Sequence, residues 1–249
     1  MSAPWGLILC LLYVYLLIVI YALGDRFPFL RKLYGIDAGI LTLAGMLVLL
    51  IVDGLFPFRV NRNPIFILVL LAFTSSVALR AIDELCHLRR HRFGVVLSHV
   101  ALSLLLIAAI FGSGSIEKAQ VMLIEGIPKA AGTDEKGRRV DLPFTLTLAN
   151  FTIELTNPER ERFVSTVRID RPDGTSLDRE IEVNHPVKVG PWQIYQKGYD
   201  TEKGRFSAVS VLECVKDPWY PAVRTGLWLL LAAALVMAVT SGAKKKEDA

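Results

Sequence analysis

The stretch Phe93 to Ile116, FGVVLSHVALSLLLIAAIFGSGSI, decides how the rest of the chain is read. It holds one ionisable residue, His99, and runs straight into Glu117-Lys118, where the composition turns polar. A hydrocarbon layer ~30 Å thick needs about 20 apolar residues in a helix, so this run is long enough to span it. An imidazole inside such a span is costly, faces protein or water rather than lipid, and marks a ligand site or pathway. The plainer alternative is that His99 only hydrogen-bonds a neighbouring helix.

Outward from this run the pattern repeats. Trp5 to Leu23, Ile36 to Val52, Ile65 to Leu79, Phe93 to Ser113 and Thr225 to Ala243 are all apolar stretches of near-spanning length. With 53% hydrophobic residues and a mean hydropathy of +0.44, the chain reads as a membrane protein. The runs are too long for barrel strands and lack their alternation, which leaves a helical bundle of about five spans. The second and third are short and border on Asp37, Asp53 and Arg80, so interfacial ends complete them.

Basic residues are retained on the cytoplasmic side. Arg26, Arg31 and Lys32, then Arg80, Arg89, Arg90 and Arg92, then Lys244, Lys245 and Lys246 follow the first, third and last spans on one side, against Arg59 and Arg62 in the loop after the second span and none before the first. The N-terminus is therefore expected outside, the C-terminus in the cytoplasm, and residues between the last two spans outside the inner membrane. The first run carries its basic residues after the apolar stretch and shows no small-residue cleavage site, so it reads as a retained span. The region from Glu117 to Tyr220 holds 15 basic and 17 acidic residues, so the net charge of +4 belongs to the membrane fringe and no nucleic-acid partner is implied.

Cys10, Cys86 and Cys214 fall in a span, a cytoplasmic loop and the outer region, so no internal disulfide is expected. The segment Cys86 to His91 lacks the second cysteine of a metal motif and reads as a basic loop.

From about Lys118 the period becomes two, with Gly, Pro and Asp punctuating it. Phe144, Leu146 and Leu148 share a face, and Phe151, Ile153 and Leu155 continue after a kink at Asn150. Asp170 to Gly174 is a turn between a strand over Phe163 to Asp170 and another over Arg179 to Asn184. A second reversal at Thr201 to Gly204 joins Trp192 to Tyr199 with Phe206 to Val215. Six or seven strands suffice for an all-β, sandwich-like domain with its own core. The formal sequon at Asn150 sits inside a strand pattern and is discounted. The expected organisation is a four-span region over 1–116, an extracytoplasmic β domain over 117–221, a last transmembrane helix over 222–243, and a tail over 244–249.

Several stretches then fall into a familiar order. They are Asn63-Pro64 opening a span, Arg92-Phe93-Gly94 followed by His99, and Leu142-Pro143-Phe144 with Leu148, Phe151 and Glu154. Most specific is Val183-Asn184-His185-Pro186 through Gly190, Trp192, Ile194-Tyr195-Gln196 and Tyr199-Asp200, ending in Asp217-Pro218. From about Asn63 to Gly226 the chain resembles the ResB family, also called CcsB, of system II cytochrome c maturation in bacteria and plastids. Its additional first span and compact outer domain depart from the usual pattern.

The resemblance implies a chain that works with a ResC/CcsA-type partner to bind and export haem b and present it to apocytochrome c, with a thiol-disulfide reductase as a further partner. In the family, a histidine of the helix before the outer domain pairs with a partner histidine at a membrane haem site. Here His99 fits that position, as an axial ligand to haem iron. The partner's tryptophan-rich segment is absent, since Trp5, Trp192, Trp219 and Trp228 are isolated. The chain then reads as a non-catalytic subunit of a haem lyase complex, with no catalytic residues of its own.

On this reading His99 lies about 9 Å along the helix from its cytoplasmic edge. Arg89, Arg90 and Arg92 are candidates for haem propionates. Gly94, Ser98 and Ala101 are small residues beside the histidine that permit close approach of a helix or a haem plane. His185 is a lesser candidate for an outer haem or client contact, and Trp192 reads as a packing residue. The competing account is a membrane-anchored scaffold that docks apocytochrome or a thiol reductant without binding haem. A stand-alone b-type cytochrome would need a second intramembrane histidine.

Overall fold

The computed structural model describes residues 3–55, 64–88, 92–157 and 160–247. Arg59, Arg62, Asn63, Arg89, Arg90 and His91, singled out above, lie outside the described residues. The chain divides into two compact units, Met1–Ser115 with Trp219–Ala249, and Ile116–Pro218.

The first unit is helical. It comprises α1 (Ala3–Leu23), a short α2 (Pro28–Arg31) continued by a 3-10 turn at Lys32–Tyr34, α3 (Ile36–Leu55), α4 (Pro64–Cys86), α5 (Phe93–Gly112) and, after the second unit, α6 (Tyr220–Glu247). Five of these helices are long and apolar enough to cross a membrane: Trp5–Leu23, Ile36–Leu55, Pro64–Cys86, Phe93–Ser115 and Tyr220–Thr240. Pro64 opens α4 at the position where a missing N–H costs nothing.

The sequence pattern ended the third span at Leu79, yet α4 runs on to Cys86. The reason is local pairing. Arg80 meets Asp83 and Glu84, three and four residues ahead, at 3.7 and 2.9 Å, so the charged turn is stabilised as helix.

Glycines set the closest helix approach. A Cβ on Gly226 of α6 would lie 2.8 Å from Leu105 of α5, and one on Gly94 would lie 2.7 Å from Met237 of α6. Both ends of the α5–α6 interface are therefore closed to any larger residue without displacement. Gly94 and Ala101, seven residues apart on α5, thus face α6.

The second unit is all β: β1 (Glu117–Ile124), β2 (Lys129–Thr133), β3 (Arg139–Asn157), β4 (Arg160–Asp170), β5 (Ser176–Glu182), β6 (Val187–Val189), β7 (Trp192–Tyr199) and β8 (Val209–Lys216). They form one antiparallel sheet in the order β5-β4-β3-β2-β1-β8-β7-β6. Among the described residues there are eight strands where six or seven were expected. β2, of sequence KAAGT, and the three-residue β6 have no run of alternating large side chains to announce them.

The kink expected at Asn150 is a register shift in the β3–β4 ladder between Leu148 and Asn150. The turn at Asp170 to Gly174 closes the β4–β5 hairpin, with Gly174 at φ +80°, where only glycine is unstrained.

The sheet curls over a single core. Leu123, Leu146, Leu148, Ile169, Ile181, Ile194, Leu212 and Cys214 are fully buried, and Trp192 packs edge-on against Phe144. Phe151, Phe163 and Tyr199 stack at centroid separations of 5.1 and 5.3 Å. β4 and β5 pack on β7, so the two ends of the ladder meet across the interior in a barrel-like fold.

Candidate functional site

Three helices in the membrane unit each present one stripe to a common space. Ile36, Gly39, Ile40 and Leu43 come from α3; Phe73, Val77, Arg80 and Glu84 from α4; and Arg92, Val95, His99 and Leu102 from the α5 end. Each set follows the three- and four-residue spacing of a single helix face. The cavity they line, with Tyr34 and Ser76, is about 570 Å³, within the ~300–1,000 Å³ of small-molecule sites.

His99 is held in a defined way. Its Nδ1 lies 3.0 Å from the Val95 carbonyl oxygen, one turn back. A carbonyl only accepts, so in this contact Nδ1 is the donor, and in the neutral ring the lone pair then sits on Nε2. Among the described residues no hydrogen bond engages Nε2. The side chain is 30% exposed, so the ring is neither sealed in the bundle nor free in solvent.

Glu84 is the second polar element and is only 7% exposed. Its Oε1 accepts from Arg80 Nε at 2.9 Å. Its Oε2 lies 3.1 Å from His99 Nδ1. The Nδ1–H points at Val95 rather than at this oxygen, so Oε2 is buried without a hydrogen bond.

Arg92 stands at the N-cap of α5, exposed, with no side-chain capping bond and no ion-pair partner among the described residues. It lines the same cavity as Arg80. The sequence candidates Arg92 and His99 are therefore brought together, while Arg89 and Arg90 lie outside the described residues. Arg80, Glu84 and Tyr34 were missed. The signal was present in the spacing of Arg80 and Glu84, which continues the Phe73 and Val77 stripe, but ending the helix at Leu79 hid it.

Gly94 and Ala101 are spent on α6 and do not line the cavity, which alters their expected part beside the histidine. Ser98 bonds back to the Val95 carbonyl at 2.7 Å.

His185 belongs to the β unit. It is 80% exposed in the turn after β5, with Nδ1 4.0 Å from Glu182 Oε2. The preceding Asn184 takes φ +68°, a left-handed angle that asparagine tolerates. Trp192 is 3% exposed and serves the core.

The donor set suits haem. A flat, largely apolar ring with two carboxylates and a metal asks for an apolar slot, cations at one edge and a nitrogen donor. Phe73, Val77, Ile40, Leu43 and Leu102 could supply the slot, Arg92 and the Glu84-paired Arg80 the cations, and His99 Nε2 the donor.

A model of the ResB-like family matches residues 89–223. Two relatives both named "Cytochrome c biogenesis protein CcsB" are similar to part of the chain. That of Synechococcus sp. (strain CC9311) is 36% identical over 106 residues, covering 42% of this chain and 23% of the relative. That of Prochlorococcus marinus (strain NATL1A) is 32% identical over 108 residues, covering 42% and 24%. The matched segment thus spans about a quarter of the length of these relatives. Among solved structures, "Cytochrome c Heme Lyase CcmF" is similar at a TM-score of 0.42 and 15% identity, covering 95% of this chain and 46% of that one. The family match takes in all of α5 with His99, and the whole β unit, and ends just inside α6; with more than half of its residues so matched, the chain belongs to the ResB-like family.

Proposed function

We propose that the chain serves cytochrome c maturation as a membrane subunit that holds haem at the α3–α4–α5 cavity and, with a ResC/CcsA-type partner, passes it to apocytochrome c. The observation that carries this reading is His99: a membrane-helix imidazole whose Nδ1 faces the Val95 carbonyl at 3.0 Å, so that Nε2 of the neutral ring is left for a metal. The names of the relatives support the process, and the cavity supports the cargo. When bound, haem supplies the iron and the vinyl groups that apocytochrome thiols attack.

The residues of this chain bind and orient. His99 would ligate the iron through Nε2, and a second ligand would come from a partner histidine, since the described cavity offers one imidazole. Arg92 and Arg80 hold negative charge at the end where α4 and α5 carry their charged residues. Phe73, Val77 and Leu102 would border a bound haem and keep water from it. In the proposed orientation that end faces the cytoplasm and the β unit lies outside the inner membrane, where apocytochrome c and a thiol-disulfide reductase would meet it.

The test is the Soret band of the chain purified with its partner. His99→Ala should lose most of the bound haem, and added imidazole should restore it. Unchanged haem content in His99→Ala would favour the scaffold account, in which the β unit docks the client and haem passes through the partner alone.

A further inference from the structure

A buried carboxylate oxygen with no hydrogen bond is an expensive feature, because the group is taken out of water and given nothing in return. Glu84 Oε2 is such an atom, and a proton donor it does not yet engage stands close by: His99 Nδ1, at 3.1 Å. The competing acceptor, Val95 O, is at 3.0 Å from the same nitrogen. A small rotation of the imidazole transfers the hydrogen bond from carbonyl to carboxylate. The other oxygen, Oε1, is already committed to Arg80, so the carboxylate is anchored and only Oε2 is available.

We infer that Glu84 is the positioning residue for His99: its Oε2 accepts the Nδ1–H hydrogen bond when Nε2 ligates iron, fixing the ring and strengthening it as a donor. The inference rests on the haem-holding reading above. A charged acceptor makes a shorter and roughly twice as strong a bond as a neutral carbonyl. Histidines that bind metals owe orientation and basicity to such outer partners, whose loss costs about 10–100-fold in affinity. Besides its part toward the ligand's charge, Arg80 then balances the carboxylate and anchors its Oε1. The proton stays on Nδ1 throughout, so nothing is consumed and only the acceptor changes.

The experiment uses the full chain co-purified with its partner, loaded with added haemin. Dissociation is followed by transfer to excess apomyoglobin, and the iron midpoint potential by spectroelectrochemistry. Glu84→Gln keeps an acceptor of the same shape but removes the charge. It should accelerate haem loss by on the order of 10–100-fold and move the midpoint positive, because a weaker donor favours ferric iron less. Glu84→Asp retains the charge but withdraws the oxygen by one methylene, and should shift both readouts the same way by less. Reduced yield with an unchanged off-rate and potential, in whichever variant accumulates, would overturn the assignment and leave Glu84 a structural partner of Arg80. His99→Ala run alongside separates the two ideas. If it keeps its haem, the haem-holding reading fails; if it loses haem while both Glu84 variants match wild type, only the positioning role fails.

Discussion

Ser165 on β4 donates to Gln196 Oε1 on β7 at 2.6 Å, although the two strands stand five steps apart in the ladder. That bond crosses the interior, and Ser210 on β8 completes it, 2.7 Å from Ser165 and 3.2 Å from Gln196. Gln196 Nε2 in turn donates to Gly198 O at 2.8 Å, across the register shift of β7. Three polar side chains inside an apolar core would be a cost if unpaired; satisfied, they tie the two ends of the sheet together. Gln196→Ala removes the shared acceptor of two buried hydroxyls, leaving them only each other at 2.7 Å, and opens a void, so it should destabilise the β unit by about 2–4 kcal/mol. Thermal unfolding of the intact chain by near-ultraviolet circular dichroism reads this, and an unchanged midpoint would refute the tie.

Acid should loosen the same unit. The Arg162 guanidinium holds Glu182 below the ordinary carboxylate value of 4.5, and Asp170 is held low by Ser176 and Arg168. A carboxylate depressed in the folded state contributes stability that is present above its unfolded value and lost as the pH falls through its folded one. The β unit should therefore hold steady down to about pH 5 and weaken below about pH 4. In Arg162→Gln the part carried by Glu182 should vanish, flattening the acid limb. An identical pH profile in both proteins would exclude the pairing as its source.

The cysteines should separate cleanly. Burial pushes the Cys214 thiol up to about 12, and its side chain is fully covered in the β core, whereas Cys86 is exposed at the end of α4. The reactive species is the thiolate, so a soluble maleimide should label Cys86 in the native chain and Cys214 only after denaturation. Mass mapping after brief labelling checks this; native labelling at Cys214 would mean that the core opens readily.

How much of this was legible in the residues depends on periodicity. The apolar runs around Trp5, Ile40 and Phe93 announce their helices because every side chain in them faces lipid or a neighbouring helix. Phe144, Leu146 and Leu148 announce a strand because one face alone is buried. His99 stood out as a lone imidazole. Glu84 and Arg80 did not, because charge at the end of an apolar run reads as the end of a span; only their pairing shows that the helix continues. β2 escaped because Ala130, Ala131 and Gly132 carry no alternation. Gly132 is in fact required there, since a Cβ would fall 2.5 Å from Gln120 O on β1.

Helix approach gives a further test. A Cβ on Gly112 of α5 would lie 2.7 Å from Cγ and 2.9 Å from Cβ of Trp219, the stem of the side chain rather than a flexible tip. Gly112→Ala therefore forces the backbone apart, with an expected cost of about 1–3 kcal/mol. At Gly94 the nearest atom, Met237 Cγ, belongs to an adaptable side chain, so Gly94→Ala should cost less. Detergent-solubilised thermal aggregation midpoints should rank Gly112→Ala below Gly94→Ala; the reverse order would contradict the packing.

Arg92 poses a conflict between stability and binding. It is a cation at the N-cap of α5, where the helix dipole is positive, and it makes no capping bond there. A serine at that position would accept a backbone N–H and remove the unfavourable charge, each worth about 0.5–1 kcal/mol. Arg92→Ser should therefore raise the melting temperature while weakening retention of a dianionic ligand in the cavity, and the loss should shrink as salt is added. A residue that costs stability where it stands is expected at a binding site rather than in a scaffold. Haem content and thermal midpoint measured on one preparation decide the matter: a variant that is more stable and equally loaded would remove Arg92 from the site.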